Sequence, residues 1–248
     1  MSGHSKWHTI KHKKGLADAK RGAAFTKIIK ELSISARLGG GDPESNPRLR
    51  TCILKAKAIN MPKDNIERAI KKGTGELEGV NYEEILYEAY GPGGVALLIN
   101  ILTDNKNRAA AEIRNLLNKH GGNLGAAGSV AYLFKRKGLL TYDASKYKED
   151  DVLAVAIDAG AEDVSNDGDS IEVVTSPEDF EAVLKALEAK GFESSGAEIS
   201  NVADTNVTLD NDKTGKALRL VELLEEHEDV QSVATNLEIP AGFEMSDD

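Results

Sequence analysis

The sequence predicts an α+β protein of three domains, an N-terminal helical bundle followed by two α/β units of ferredoxin-like type. Three observations lead there. Apolar residues recur at helical spacing between Phe25 and Ile70, strand-like and helix-like stretches then alternate with short connections, and charge is segregated along the chain. A length of 248 residues suits two or three compact units, each burying its own core.

Residues 1–20 are small and charged without a sustained apolar period, and read as a flexible basic arm. From Arg21 the texture changes. Phe25, Ile28, Ile29, Leu32 and Ala36 recur at helical spacing until Gly39-Gly40-Gly41, because glycine readily takes the positive backbone angle that stops a helix. A second helix is expected after Asn46-Pro47, with proline in the first turn where its missing N–H costs nothing, burying Leu49, Cys52, Ile53 and Ala56. A third follows Pro62, buries Ile66, Ala69 and Ile70, and is expected to stop at Gly73. Such helices can cover one another's apolar stripes, so residues 21–78 are expected as one bundle.

Residues 82–90 alternate enough for a strand, Gly91-Pro92-Gly93-Gly94 turns the chain, and residues 95–102 suit a more buried strand. Asp104 or Asn105 can cap the next helix, which buries Ile113, Leu116 and Leu117 and ends at Gly121-Gly122. Strands are expected at 130–134 and 138–142, then a helix over 149–159. A strand at 170–175, a helix capped by Ser176-Pro177 and a strand at 193–202 follow. The order repeats with a strand at 206–209, a helix at 214–227 and a strand at 230–237, and this echo predicts two ferredoxin-like sandwiches.

The net charge of −10 conceals a division. Residues 1–72 hold 17 Lys and Arg against 6 Asp and Glu, a net of +11. Residues 73–142 balance 7 against 7, and residues 143–248 hold 7 basic against 28 acidic, a net of −21. A positive field at one end attracts polyanions while the other end repels them. The sole cysteine, Cys52, excludes an intrachain disulfide and any multi-thiolate zinc site. No apolar run approaches a membrane span, and the N-terminal stretch lacks the apolar core of a secretory signal, so a cytoplasmic location is expected.

Nucleic acid is the expected partner. In the arm, Lys6, Lys11, Lys13, Lys14, Lys20 and Arg21 surround Trp7, joining phosphate-neutralising charge to an indole that can stack on a base. Lys20, Lys27, Lys30 and Arg37 fall within about a 100° sector of the first helix, opposite its apolar stripe. Arg48 with Lys55, and Arg50 with Lys57, form ridges beside the stripe of the second helix, and Lys63, Arg68, Lys71 and Lys72 add to the same domain. An ordinary solvated helix surface would carry both signs, whereas Glu31, Asp64 and Glu67 are few against this excess. A secondary contact is conceivable at the helix start near Asn105, with Arg108 and Arg114 as helpers, although capping alone explains most of that pattern. His4, His8 and His12 are four apart but lack a carboxylate or thiolate cluster, so no metal is expected. The Gly91 loop lacks a Walker lysine, and no triad, nucleotide fingerprint or paired carboxylates can be assembled. The expectation is therefore a binding protein, not an enzyme, without a cofactor.

Several separated motifs resemble the YebC family: Gly3-His4-Ser5-Lys6-Trp7, Asp18-Ala19-Lys20-Arg21, Gly39-Gly40-Gly41-Asp42-Pro43, Asn46-Pro47-Arg48-Leu49-Arg50, Asn60-Met61-Pro62, Tyr90-Gly91-Pro92-Gly93-Gly94, Gly121-Gly122-Asn123-Leu124 and Gly128-Ser129-Val130. The resemblance implies a helical domain and two α/β domains, the last inserted in the second, so that residues 79–129 pair with 204–248 around an insert at 130–203. It also implies either a DNA-binding transcriptional regulator or a translation factor that acts at the ribosome, ribosomal RNA then being the ligand. The acidic domains would engage basic surfaces of the ribosome or of transcription machinery. Ala89 and Ala109 depart from the family pattern, which usually has glycine and threonine there.

Overall fold

The computed structural model describes residues 18–240 and Phe243, with side chains from Gly22 onward. Helices α1 (Asp18–Gly39), α2 (Pro47–Ala58) and α3 (Lys63–Thr74) form the bundle, burying Leu32, Leu49, Cys52, Met61 and Ile66 among one another. Asn46 organises it. Its Oδ1 accepts from the Leu49 N–H at 3.1 Å, capping α2, while its Nδ2 donates to the carbonyls of Ser35 and Gly40 at the end of α1. Gly73 does not end α3, which runs one residue further to a positive-φ Gly75 (φ 83°). A Cβ on Gly73 would stand 2.2 Å from the Ser33 carbonyl oxygen, so this glycine permits the close approach of α1 and α3.

Strands β1 (Glu83–Tyr90) and β2 (Ala96–Thr103) form the expected hairpin, with Tyr90 opposite Ala96. Asn105 caps α4 (Lys106–Lys119), and β3 (Asn123–Leu124) returns beside β1. A 3₁₀ turn over Ala131–Leu133 replaces the strand expected at 130–134, and the chain continues as one long strand, β4 (Phe134–Asp143). That turn is built from below. The buried Glu88 carboxylate accepts from the N–H groups of Gly128, Val130 and Ala131 at 2.5, 2.7 and 2.7 Å, and these bonds, Val130's foremost, outweigh burial and hold its pKa below the usual carboxylate range.

Helix α5 (Glu149–Asp158), strands β5 (Asp163–Asn166) and β6 (Ser170–Thr175), helix α6 (Phe180–Ala189) and β7 (Gly196–Ala203) follow. The chain then passes through β8 (Val207–Thr208), α7 (Asn211–Glu226), β9 (Val230–Thr235) and β10 (Leu237–Glu238). Two four-stranded sheets result, β3-β1-β2-β9 and β5-β6-β4-β7, with every neighbouring pair antiparallel. The second follows the β-α-β-β-α-β order of a split βαβ motif, with α5 and α6 sharing its core. The first opens with a hairpin instead, takes strands from both sides of the segment that builds the second, and packs α4 and α7 on a core of Leu97, Ile99, Ile113 and Leu220. Ala89 and Ala109 are fully buried in this core, so both departures from the family pattern are packing positions. Ala96, Leu98 and Ala234 of the first sheet meet Val130 and Phe134, joining the two α/β units through an apolar contact.

Candidate nucleic-acid interface

Lys6, Trp7, Lys11, Lys13 and Lys14, with His4, His8 and His12, lie outside the described residues, and the side chains of Lys20 and Arg21 at the start of α1 do so too. The remaining cations divide into two sets.

The first set is turned inward. Lys30 is only 7% exposed, and its Nζ lies 2.6 Å from Asp229 Oδ1 and 3.1 Å from the Glu228 carbonyl oxygen, with the Tyr82 ring 5.7 Å away. Asp229, in the turn between α7 and β9, is fully buried, and its Oδ2 accepts from Thr103 Oγ1 at 3.0 Å and Arg108 Nη2 at 2.8 Å. Burial alone would raise the Asp229 pKa, but the bonds from Lys30 and Arg108 overcome it and hold the carboxyl below its ordinary value. The basic face expected on α1 is thus partly a docking face, since Lys27 also donates to the Glu225 carbonyl, and Arg37 to Asn81 Oδ1 and the Tyr82 carbonyl.

The ridges of α2 are engaged as well. Arg48 bonds Glu31 at 2.9 Å and pairs with Glu84 of β1, Arg50 pairs with Glu181 of α6 at 2.8 Å, and Lys55 reaches Glu198 of β7 at 3.5 Å. At the secondary site Asn105 is a helix cap whose Oδ1 accepts from the Arg108 N–H at 3.0 Å, and Arg108 serves Asp229 and Asp104. Arg114 stays exposed, with no ion partner among the described residues.

The second set faces water. Lys57, Arg68, Lys71 and Lys72 are exposed, and none has an ion partner among the described residues. At 100° per residue, Lys71, Arg68 and Lys72 span about 100° of α3, opposite Ile66, Ala69 and Gly73. Lys57, in the last turn of α2, and Lys71 and Lys72, in that of α3, sit where the helix dipole favours cations. A cavity of about 270 Å³ beside Lys72 is lined also by Arg37, Gly73, Leu77 and Tyr82. It adjoins the negative end of α3, and Arg37 is already bonded there, so it suits an anion poorly.

Glu112, His227 and Asp229 approach one another closely enough to suggest a metal centre. Their donor atoms are committed. His227 Nδ1 accepts from the Asp229 N–H at 3.1 Å, which leaves Nε2 to donate to Glu112 Oε2 at 3.0 Å, while both Asp229 oxygens serve cations. The trio is a hydrogen-bonded junction. Asp229 and Glu88 are not evident from the sequence, because the side chains and amides they bind lie 126, 199 and 40–43 residues away.

Comparison with known proteins adds the relationship. Residues 5–76 match the model described as the TACO1/YebC protein N-terminal domain, and residues 82–237 the TACO1/YebC second and third domain. A relative from Treponema denticola, named "Probable transcriptional regulatory protein", is 64% identical over 99% of both chains. One of the same name from Treponema pallidum is 61% identical over 97% of this chain and 98% of its own. The crystal structure of a conserved hypothetical protein, Aq1575 from Aquifex aeolicus, superposes with a TM-score of 0.83 at 48% identity, covering 90% of this chain and 92% of that one. With both parts of the chain matched in order, this protein is a member of the TACO1/YebC family.

Proposed function

We propose that the protein is a nucleic-acid-binding regulator of gene expression, DNA-directed and acting in the cytoplasm, that holds phosphates on the outer face of α3. The observation that carries this is the cluster of Arg68, Lys71 and Lys72 on one sector of α3, exposed and without an ion pair among the described residues. Asp64 shares this sector without an ion pair to any of the three among the described residues, so three cations against one acid leave the face net positive, and release of phosphate counterions would drive binding. The arm residues Lys6, Trp7, Lys11, Lys13, Lys14, Lys20 and Arg21 would extend this grip along the strand. The relatives' name supports a regulatory role. Nothing in the reading requires turnover or a cofactor.

The same reading divides the chain into the arm at 1–20, the bundle at 21–78, an α/β domain from 79–129 and 204–248, and an inserted α/β domain at 130–203. Support comes from the first sheet drawing β9 from beyond the second. Fluorescence anisotropy with labelled duplex DNA and single-stranded RNA at low salt tests the function. Lys71→Glu with Lys72→Glu should abolish binding of the preferred ligand, and equal binding by wild type and variant overturns the assignment of the face. Binding of RNA alone would turn the reading to translation.

A further inference from the structure

The bundle reaches both α/β units, yet its buried apolar cluster contains bundle residues alone, whereas the two sheets share one. The bundle's ion pairs and hydrogen bonds to the two units are of two unlike kinds. Its attachment to the first unit centres on the buried Lys30–Asp229 pair. Its ion pairs to the second unit, Arg50 with Glu181 and Lys55 with Glu198, have side chains 30–46% exposed. Exposed pairs are weak and salt-sensitive, while loss of one partner from a buried pair is strongly unfavourable. The second contact is the weaker of the two.

We propose that Glu181 and Glu198 act as phosphate mimics that cover part of the bundle's nucleic-acid-binding surface, so that a bound polyanion displaces them from Arg50 and Lys55 while Asp229 keeps the bundle anchored. This deepens the function proposed above and rests on it. Arg50 presents Nε and Nη2 together to Glu181 Oε1, at 3.1 and 2.8 Å, which are the donors a phosphate oxygen would take. Exchange of one anion for another leaves the count of charge-assisted bonds unchanged, and counterion release from the polyanion then favours opening at low salt. Through this mimicry the acidic part of the chain screens the basic end against weak or short anions and yields to a continuous phosphate backbone.

The test uses the full chain with spin labels on cysteines introduced at Lys63 and Glu188, both exposed positions on α3 and α6. Cys52 is buried, with burial pushing its thiol up to about 12, and remains unlabelled. The label separation should lengthen on adding a short single-stranded oligonucleotide, and in Glu181→Gln with Glu198→Gln even without one. The same double variant should bind the oligonucleotide about fivefold more tightly, as removal of two half-exposed pairs implies. Adding Arg50→Gln and Lys55→Gln should cancel the gain. Wild-type binding with an unchanged label separation, or a double variant of unchanged affinity, overturns the latch and leaves the function standing. If no form binds DNA or RNA, the functional reading falls and takes the latch with it.

Discussion

Replacing Asp229 with asparagine keeps the shape of the side chain and removes one negative charge from the centre of the molecule. Lys30, 7% exposed, would then have no anionic partner, only neutral oxygens such as the Glu228 carbonyl, and the Tyr82 ring, while Arg108 would keep Asp104 and Glu228. A buried cation deprived of its partner costs roughly 3–5 kcal/mol. For a chain of this size each kcal/mol moves the midpoint by roughly 2–4 °C, so Asp229→Asn should lower Tm by about 6–20 °C in a circular-dichroism melt. The companion Lys30→Met removes the buried charge itself, and in Lys30→Met with Asp229→Asn part of the loss should return, giving a coupling above about 1 kcal/mol in the double-mutant cycle. A fall of less than about 2 °C for Asp229→Asn, or strictly additive single changes, would refute the view that this pair anchors the bundle.

Acid should act on the same anchor. The Asp229 pKa is depressed in the fold, so its contribution is complete at neutral pH, begins to fade as pH falls through the unfolded value near about 4 and is lost as pH drops through the folded one. An acid titration of Asp229→Asn should lack that component, and parallel curves for variant and wild type would argue against it. Gly73→Ala places a methyl 2.2 Å from the Ser33 carbonyl oxygen, and forcing α1 and α3 apart should cost roughly 1–3 kcal/mol in urea unfolding; a neutral effect would show that the contact is slack. Glu88→Ala strips the acceptor from the N–H groups of Gly128, Val130 and Ala131, so hydrogen exchange at these amides should accelerate at least about tenfold, and unchanged protection would mean that other bonds hold the turn.

Where a local rule decides, the sequence is a good guide to this fold. Pro47 opens α2, Asn105 caps α4, and the strand expected at 170–175 coincides with β6, because caps and apolar periods act within a few residues. Where a distant neighbour decides, it is not. Gly73 resembles a helix stop and instead makes room for Ser33. The stretch at 130–134 has strand-like composition, yet Glu88 draws it into a turn, and β5 (Asp163–Asn166) is too polar to announce itself. The basic patch shows the same limit. Lys30 and Lys71 look alike in sequence, both lysines on amphipathic helices, and only the arrival of Asp229 from 199 residues away separates a structural cation from one that faces water.

If the α3 face neutralises phosphates, the salt dependence of binding measures it directly. With Arg68, Lys71 and Lys72 all changed to glutamine, the slope of log affinity against log salt should shrink by about 2–3 relative to wild type, one phosphate contact for each charge removed. An identical slope in the two proteins would mean that these cations touch no phosphate, and the proposed interface would have to be abandoned.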